Sequence, residues 1–163
     1  MVLVRLAVFV VLLYRRARYG YPFRRIPLTQ GKYAIVDPQD YDRLRIHNWR
    51  LQGSRDFYAI RNSPVKVGRK NKKVWMHREI LPVKEGLVVD HINHNTLDNR
   101  RANLRQATRT QNSYNSRKRK NTSSRYKGVY WDKHNKKWKS EIKVNGKNKS
   151  LGYFKSQAEA GRA

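Results

Sequence analysis

The sequence predicts an α+β chain built from two small modules, and three observations carry that prediction. The β-branched run Gly86-Leu-Val-Val-Asp90 leads into an Asn- and Asp-rich stretch and then into Thr108-Arg-Thr-Gln111, a pattern of strand, irregular loop and capped helix start. Further along, apolar and basic residues alternate from Lys137 to Val144, and Asn145-Gly146 supplies a two-residue hairpin turn. Finally, 163 residues have room for one domain of ordinary size or two small ones, each with a modest core.

Charge narrows the class of partner. Lys and Arg number 38 against 11 Asp and Glu, a formal net charge of +27. Like charges at this density oppose compaction, so a polyanion is the expected partner, with nucleic acid the first candidate. Cysteine is absent, which excludes disulfides and four-thiolate structural zinc sites. Any metal must therefore sit on oxygen or imidazole ligands, and no structural zinc is expected.

The elements follow in order. Residues 1–25 form an atypical apolar and basic extension, with the run Leu6 to Tyr14 bounded by Arg5 and by Arg15, Arg16 and Arg18. A bilayer-spanning helix needs about 20 apolar residues, so no membrane span is expected; a secretory signal is disfavoured by Tyr-Arg-Arg-Ala-Arg-Tyr after the apolar core. From Ile26 a β-rich scaffold is expected. Lys32 to Val36 and Phe57 to Arg61 read as strands, Tyr41 to Trp49 as a brief helix, and Val65 to Lys73, with Gly68, as a hairpin loop. Val74 to Arg78 resumes an apolar pattern that turns helical through Leu81 and stops at Pro82.

Gly86 to Asp90 reads as the strand that delivers Asp90 and His91 at its end. Neighbours on a regular strand face opposite ways, so one site can use both only if the chain bends there, and Asn93, Asn95, Asp98 and Asn99 suit such a bend. An irregular loop is expected from His91 to Thr108, in which the amide of Asn103 pins backbone groups. Thr108 then caps a helix, and Asn112 in its first turn comes back beside Asp90. An acid, an imidazole and an amide so gathered can hold one divalent cation next to a general base. Taken singly, each is more often a turn cap, a surface histidine or a solvated helix residue; their joint spacing favours the site.

These residues carry a resemblance. His77-Arg78, Val-Asp-His-Ile-Asn-His-Asn-Thr-Leu-Asp-Asn-Arg-Arg-Ala-Asn-Leu-Arg and Thr-Arg-Thr-Gln-Asn112 resemble the HNH endonucleases, especially the homing members associated with phages and introns. The resemblance implies a ββα-metal finger, at about residues 74–115 of a 26–115 domain. It implies His91 as general base, Asp90 and Asn112 as metal ligands and Asn103 as loop organiser. A carboxylate and an amide are hard oxygen ligands, so one Mg²⁺ or Mn²⁺ is expected per site. His94 stands where the family commonly has glycine. His77, beside Trp75 and Met76, is a secondary candidate, as a packed histidine or a support for the ligands; His47 and His134 read as surface residues. Arg100, Arg101 and Arg105 are candidate phosphate clamps.

Residues 116–124 read as a basic linker and 125–163 as a second module. Tyr126 to Trp131, Lys137 to Val144 and Lys147 to Phe154 are expected strands, with Trp138, Ser140, Ile142 and Val144 on one face and mostly basic residues on the other. A short helix from Ser156 covers the apolar face. Tyr-Lys-Gly-Val, Lys-Trp-Lys-Ser-Glu-Ile, Asn-Gly-Lys, Leu-Gly-Tyr-Phe and Ala-Glu-Ala resemble the plant APETALA2/ERF DNA-binding domain, with a shorter C-terminal helix. That resemblance implies DNA contacts from Lys127, Lys137, Lys139, Lys143 and Lys147, while Tyr130 and Asp132 fall where those domains often have arginine.

The expected function is that of a metal-dependent endonuclease that nicks double-stranded DNA, as a monomer or weak dimer, in the cytoplasm of a bacterial or phage-infected cell, with no small-molecule substrate. The alternatives are a noncatalytic DNA-binding protein that keeps the fold and an RNA-binding protein that uses the same charge.

Overall fold

Short strands and, after the first, short helices follow one another along the chain, as the sparse apolar runs between polar, Asn- and Arg-rich stretches dictate. The computed structural model describes residues 2–54, 56–63, 72–118, 121–144 and 146–163. It is a mixed α and β structure of small antiparallel sheets and helices, in two compact units: residues 1–115 and 116–163.

In the first unit, α1 (Val2–Tyr19) takes up the apolar run and its flanking arginines as one helix. Val4, Leu6, Phe9, Val10, Leu13 and Tyr14 are all exposed on it, and no helix among the described residues is long and apolar enough to cross a membrane. β1 (Arg24–Pro27) and β2 (Tyr33–Val36) pair antiparallel and bury Ile26, Ala34 and Val36. α2 (Pro38–Arg45) begins earlier than the expected Tyr41, because Pro38 sits in its first turn, where a missing N–H costs nothing. The strands β3 (Arg50–Gln52), β4 (Tyr58–Asn62) and β5 (Lys73–Trp75) form a second antiparallel sheet, ordered 3-4-5. β5 runs directly into α3 (Met76–Ile80), so the apolar pattern at 74–81 does change period at that point. The expected hairpin loop around Gly68 falls largely outside the described residues.

β6 (Leu87–His91) pairs antiparallel with β7 (Leu104–Thr108), in the register Asp90 to Arg105 and His91 to Leu104. Here the expected irregular loop is corrected: it is confined to residues 92–100, a 3-10 turn (Arg101–Asn103) follows, and the chain then returns as a strand. Leu-Arg-Gln-Ala-Thr has little intrinsic strand preference. It is held by the edge β6 offers, with Leu104 and Ala107 turned into the core. α4 (Arg109–Tyr114) starts at the reciprocal cap of Thr108 and Gln111. Ile26, Leu28, Ala34, Val36, Leu44, Trp49, Ala59, Met76, Ile80, Val89 and Leu104 form one core, so scaffold and ββα segment share their packing.

In the second unit, β8 (Val129–Asp132), β9 (Lys137–Val144) and β10 (Lys147–Phe154) make an antiparallel sheet with β9 central. Residue 145 of the expected Asn145-Gly146 turn is outside the described residues, as are residues 119 and 120 of the expected linker. α5 (Gln157–Arg162) carries a second reciprocal cap, from Ser156 and Glu159. The expected apolar face is covered only in part: Ser140 is buried and Trp138 half-buried, whereas Ile142 and Val144 are 49% and 45% exposed, because a six-residue helix is too short to reach them. What α5 does cover depends on Gly161, where an added Cβ would lie 2.6–2.8 Å from the ring of Tyr126. Gly161→Ala is therefore expected to destabilise this unit by about 1–3 kcal/mol, the usual cost of overpacking. Urea unfolding of the full chain, followed by tryptophan fluorescence, would show it, and an unchanged midpoint would refute it.

Candidate active site

Three residues on the β6–loop–β7–α4 segment, Asn99, Arg105 and Asn115, converge on the acid and imidazole at the end of β6. Asp90 is 5% exposed, and its carboxylate is fully engaged. Arg105, its cross-strand neighbour on β7, donates to Oδ2 from Nε at 2.9 Å and pairs with it through the terminal nitrogen at 2.8 Å. The Nδ2 group of Asn115 donates to both oxygens at 3.0 Å and to the carbonyl of His91 at 3.2 Å. The amide bonded to Asp90 is thus that of Asn115, at the C-terminal end of α4. Asn112, the sequence candidate, is exposed in the middle of the same helix, three residues earlier. The helical period of 3.6 puts positions 112 and 115 on neighbouring parts of one face, so a motif identifies the helix more securely than the residue.

His91 is also 5% exposed. Its Nε2 lies 3.1 Å from Oδ1 of Asn99, a residue with no exposed surface. Its ring packs against Tyr58 at 6.1 Å and His77 at 5.2 Å between centroids, and His77 in turn touches Trp75 and Tyr58. Burial pushes the His91 imidazole below the usual histidine range, outweighing the Asn99 hydrogen bond and the carboxylates of Asp90 and Asp98, which favour its charged form. His77 is pushed down to about 3, by burial first and then by His91 and Arg78. It is a neutral wall of the site. Since an unfolded histidine titrates near 6.5, the unfolded chain binds a proton that folded His77 refuses from that pH down to about 3. Stability from this residue is whole above pH 6.5 and is lost on acidification at up to about 1.4 kcal/mol per pH unit. His77→Gln should flatten the fall in urea midpoint between pH 7 and pH 5; equal slopes in variant and wild type would refute the assignment.

The loop between the strands is built from its own amides. Asn103 accepts the backbone N–H of Asn93 at 2.9 Å and donates to the carbonyl of Asp98 at 2.7 Å, so one side chain ties both ends of the loop. Asn93 Oδ1 takes the N–H of Asn95, and Asn93 Nδ2 donates to Asp98. His94 adopts φ 61°, the left-handed conformation that glycine takes at low cost. The loop also docks on β2: Ile35 N–H donates to Leu97 at 2.9 Å, and Asn99 N–H to Ile35 at 2.8 Å.

Of the three arginines expected at phosphates, each has a partner inside the fold. Arg100 grips Asp98 through two nitrogens, at 2.6 and 2.8 Å, and stacks on Tyr21; with its side chain 11% exposed it is committed to the loop. Arg101 holds Asp40 with two nitrogens at 2.8 and 2.9 Å, and Arg105 holds Asp90, each with its side chain 47% exposed. In the second unit, Lys137, Lys143 and Lys147 are exposed. Lys127 donates to Ser116, and Lys139 pairs with Glu141 at 2.6 Å between the rings of Tyr130 and Tyr153. Sequence reading missed Asn99 and Asn115. Asn99 stands within the motif and Asn115 three residues past its end, but only the packing singles them out.

The donor set suits a hard divalent cation with few protein ligands: one carboxylate and nearby carboxamides, with no cluster of three or more His, Cys, Asp or Glu among the described residues. Such a cation would compete with Arg105 for Asp90.

Comparison with known proteins matches residues 81–114 to a family described as HNH endonuclease. The chain is 33% identical over 82 residues to Protein 3.8 of Escherichia phage T7, a match covering 50% of this chain and 67% of that protein. It is 40% identical over 80 residues to an uncharacterized HNH endonuclease of Acanthamoeba polyphaga mimivirus, covering 45% of this chain and 40% of that one. No solved structure matches.

Proposed function

Because the chain belongs to the HNH endonuclease family, its domain of that type spanning residues 81–114, we propose that it is a metal-dependent nuclease that nicks double-stranded DNA at selected sites in the manner of homing enzymes. The observation that carries this reading is the buried pair on β6: a carboxylate and a neutral imidazole on adjacent residues, each held by a separate asparagine.

In the proposed reaction a water attacks phosphorus, His91 takes its proton, and the bond from phosphorus to the 3′ oxygen breaks. A Mg²⁺ or Mn²⁺ ion held by Asp90 and a helix asparagine, Asn112 or Asn115, would supply stabilisation of the charge that develops on phosphate and leaving oxygens. Burial keeps His91 uncharged near neutral pH and ready to accept a proton. Asn103 keeps the loop in register. The net charge of +27 draws the polyanion in, and the second unit, by its resemblance to APETALA2/ERF domains, lays the Lys137 and Lys143 face of its sheet on duplex DNA, with Lys147 at the hairpin end beside Val144. One active site cuts one strand per encounter, which makes nicking the default.

The test is supercoiled plasmid incubated with the full chain, with Mg²⁺ or Mn²⁺ and with chelator. Open-circular product that needs the cation supports the proposal. Tight, salt-sensitive binding without cleavage would favour a noncatalytic DNA-binding protein, and preference for RNA in competition would favour an RNA-binding one.

A further inference from the structure

We propose that Asn99 is a positioning residue that holds His91 as its Nε2–H tautomer and so leaves Nδ1 as the atom that takes the proton. The proposal rests on the reading of His91 as general base.

Three observations lead to it. First, Asn99 Oδ1 lies 3.1 Å from Nε2, while its Nδ2 lies 3.7 Å from the sulfur of Met76. Reversing the amide would set a carbonyl oxygen against a thioether, which has no hydrogen to give, at a residue with no exposed surface. The oxygen therefore faces the ring, and an oxygen can only accept, so Nε2 carries the proton. Second, every fully buried side-chain nitrogen and oxygen among the described residues has a hydrogen-bond partner. Among the described residues the one hydrogen bond of the His91 ring runs through Nε2, so Nδ1, being without such a partner, is the nitrogen that reaches solvent, where a water can meet it. Third, Asn99 is itself immobilised: its backbone N–H donates to Ile35 of β2, and the preceding Asp98 bridges to the same residue. The acceptor that sets the tautomer thus belongs to a loop anchored on the scaffold.

A neutral imidazole with its proton on the solvent-facing nitrogen has no lone pair to offer water, so the wrong tautomer is inactive whatever the pH. Supports of this kind typically carry about 10–100-fold of activity.

The test uses the full chain labelled with ¹⁵N, without metal, at a pH where His91 is neutral. Its ring signals are identified by their loss in His91→Gln, and long-range proton–nitrogen correlation tells the protonated nitrogen from the bare one. Wild type is expected to show Nε2 protonated and Nδ1 bare. Asn99→Leu should blur that distinction and lower plasmid nicking by about 10–100-fold. Asn99→Asp, which keeps an acceptor oxygen, should restore both. A residue with a purely structural role would lower the unfolding midpoint in Asn99→Leu without moving the ring signals. Should the leucine variant fail to fold, the spectra of wild type and Asn99→Asp decide. Nδ1 protonated in wild type, or ring signals unchanged in a folded leucine variant, would overturn the proposal and leave the nuclease reading standing. Undiminished nicking by His91→Gln would instead overturn the reading of His91 as general base, and with it any catalytic meaning of the tautomer.

Discussion

Replacing His91 with alanine is expected to reduce plasmid nicking by about 100-fold or more, the usual contribution of a positioned base. Affinity for duplex DNA and its decline with salt should stay within about twofold, because a side chain 5% exposed is not a phosphate contact. Alanine also leaves a hole beside Tyr58 and His77 and strips Asn99 of its donor, so some loss of stability is expected with it. His91→Gln separates the two effects. Its amide can still donate to Asn99, yet it is no base, so stability should recover while cleavage stays low. Nicking by the glutamine variant within about threefold of wild type would remove His91 from the chemistry. On the acidic side, the lowered imidazole keeps the base form populated to somewhat below pH 6.5, and the rate should fall only beneath that.

The second large effect is expected outside the β6–loop–β7–α4 segment, on α2. Asp40, 2% exposed on α2, accepts two nitrogens of Arg101 and two of Arg43. Asp40→Ala would leave both guanidiniums facing the site of a lost charge. Breaking a buried pair costs about 3–5 kcal/mol and an exposed one under about 1. With a buried acid and half-exposed arginines, about 2–3 kcal/mol is expected, read as a drop in urea midpoint. Burial raises the Asp40 carboxyl, but the hydrogen bonds and charges of Arg101 and Arg43 outweigh it and the net shift is downward. Its contribution is therefore present above the unfolded value near 3.8 and is lost as pH falls through the lower folded one, so the gap between wild type and variant should close in strong acid. A gap that persists there would locate the loss in packing.

How far the site could be read from the sequence varies by residue. Thr108 and Gln111 gave the start of α4 correctly, because a cap is a local interaction between residues close in the chain. β6 was equally legible from its β-branched run. β7 was not, since Leu104 to Thr108 becomes a strand only when β6 is beside it. The partners of the arginines inside the fold were equally hidden, since a sequence displays charge without its partners, and Tyr21, Asp37 and Asp40 lie dozens of positions from Arg100 and Arg101. Asn99 and Asn112 differ by nothing a sequence can show. Packing puts one in the interior and the other at the surface.

The seam between the loop and β2 sets a limit on portability. Ile35 exchanges hydrogen bonds with Leu97 and Asn99, and Asp37 accepts the backbone N–H of Arg101, across 64 positions of chain. During synthesis β2 leaves the ribosome well before the residues it will hold, and it waits as an incomplete edge until they arrive. A graft of residues 74–115 onto another protein would carry the motif without that edge, and its active-site loop would arrive unmoored.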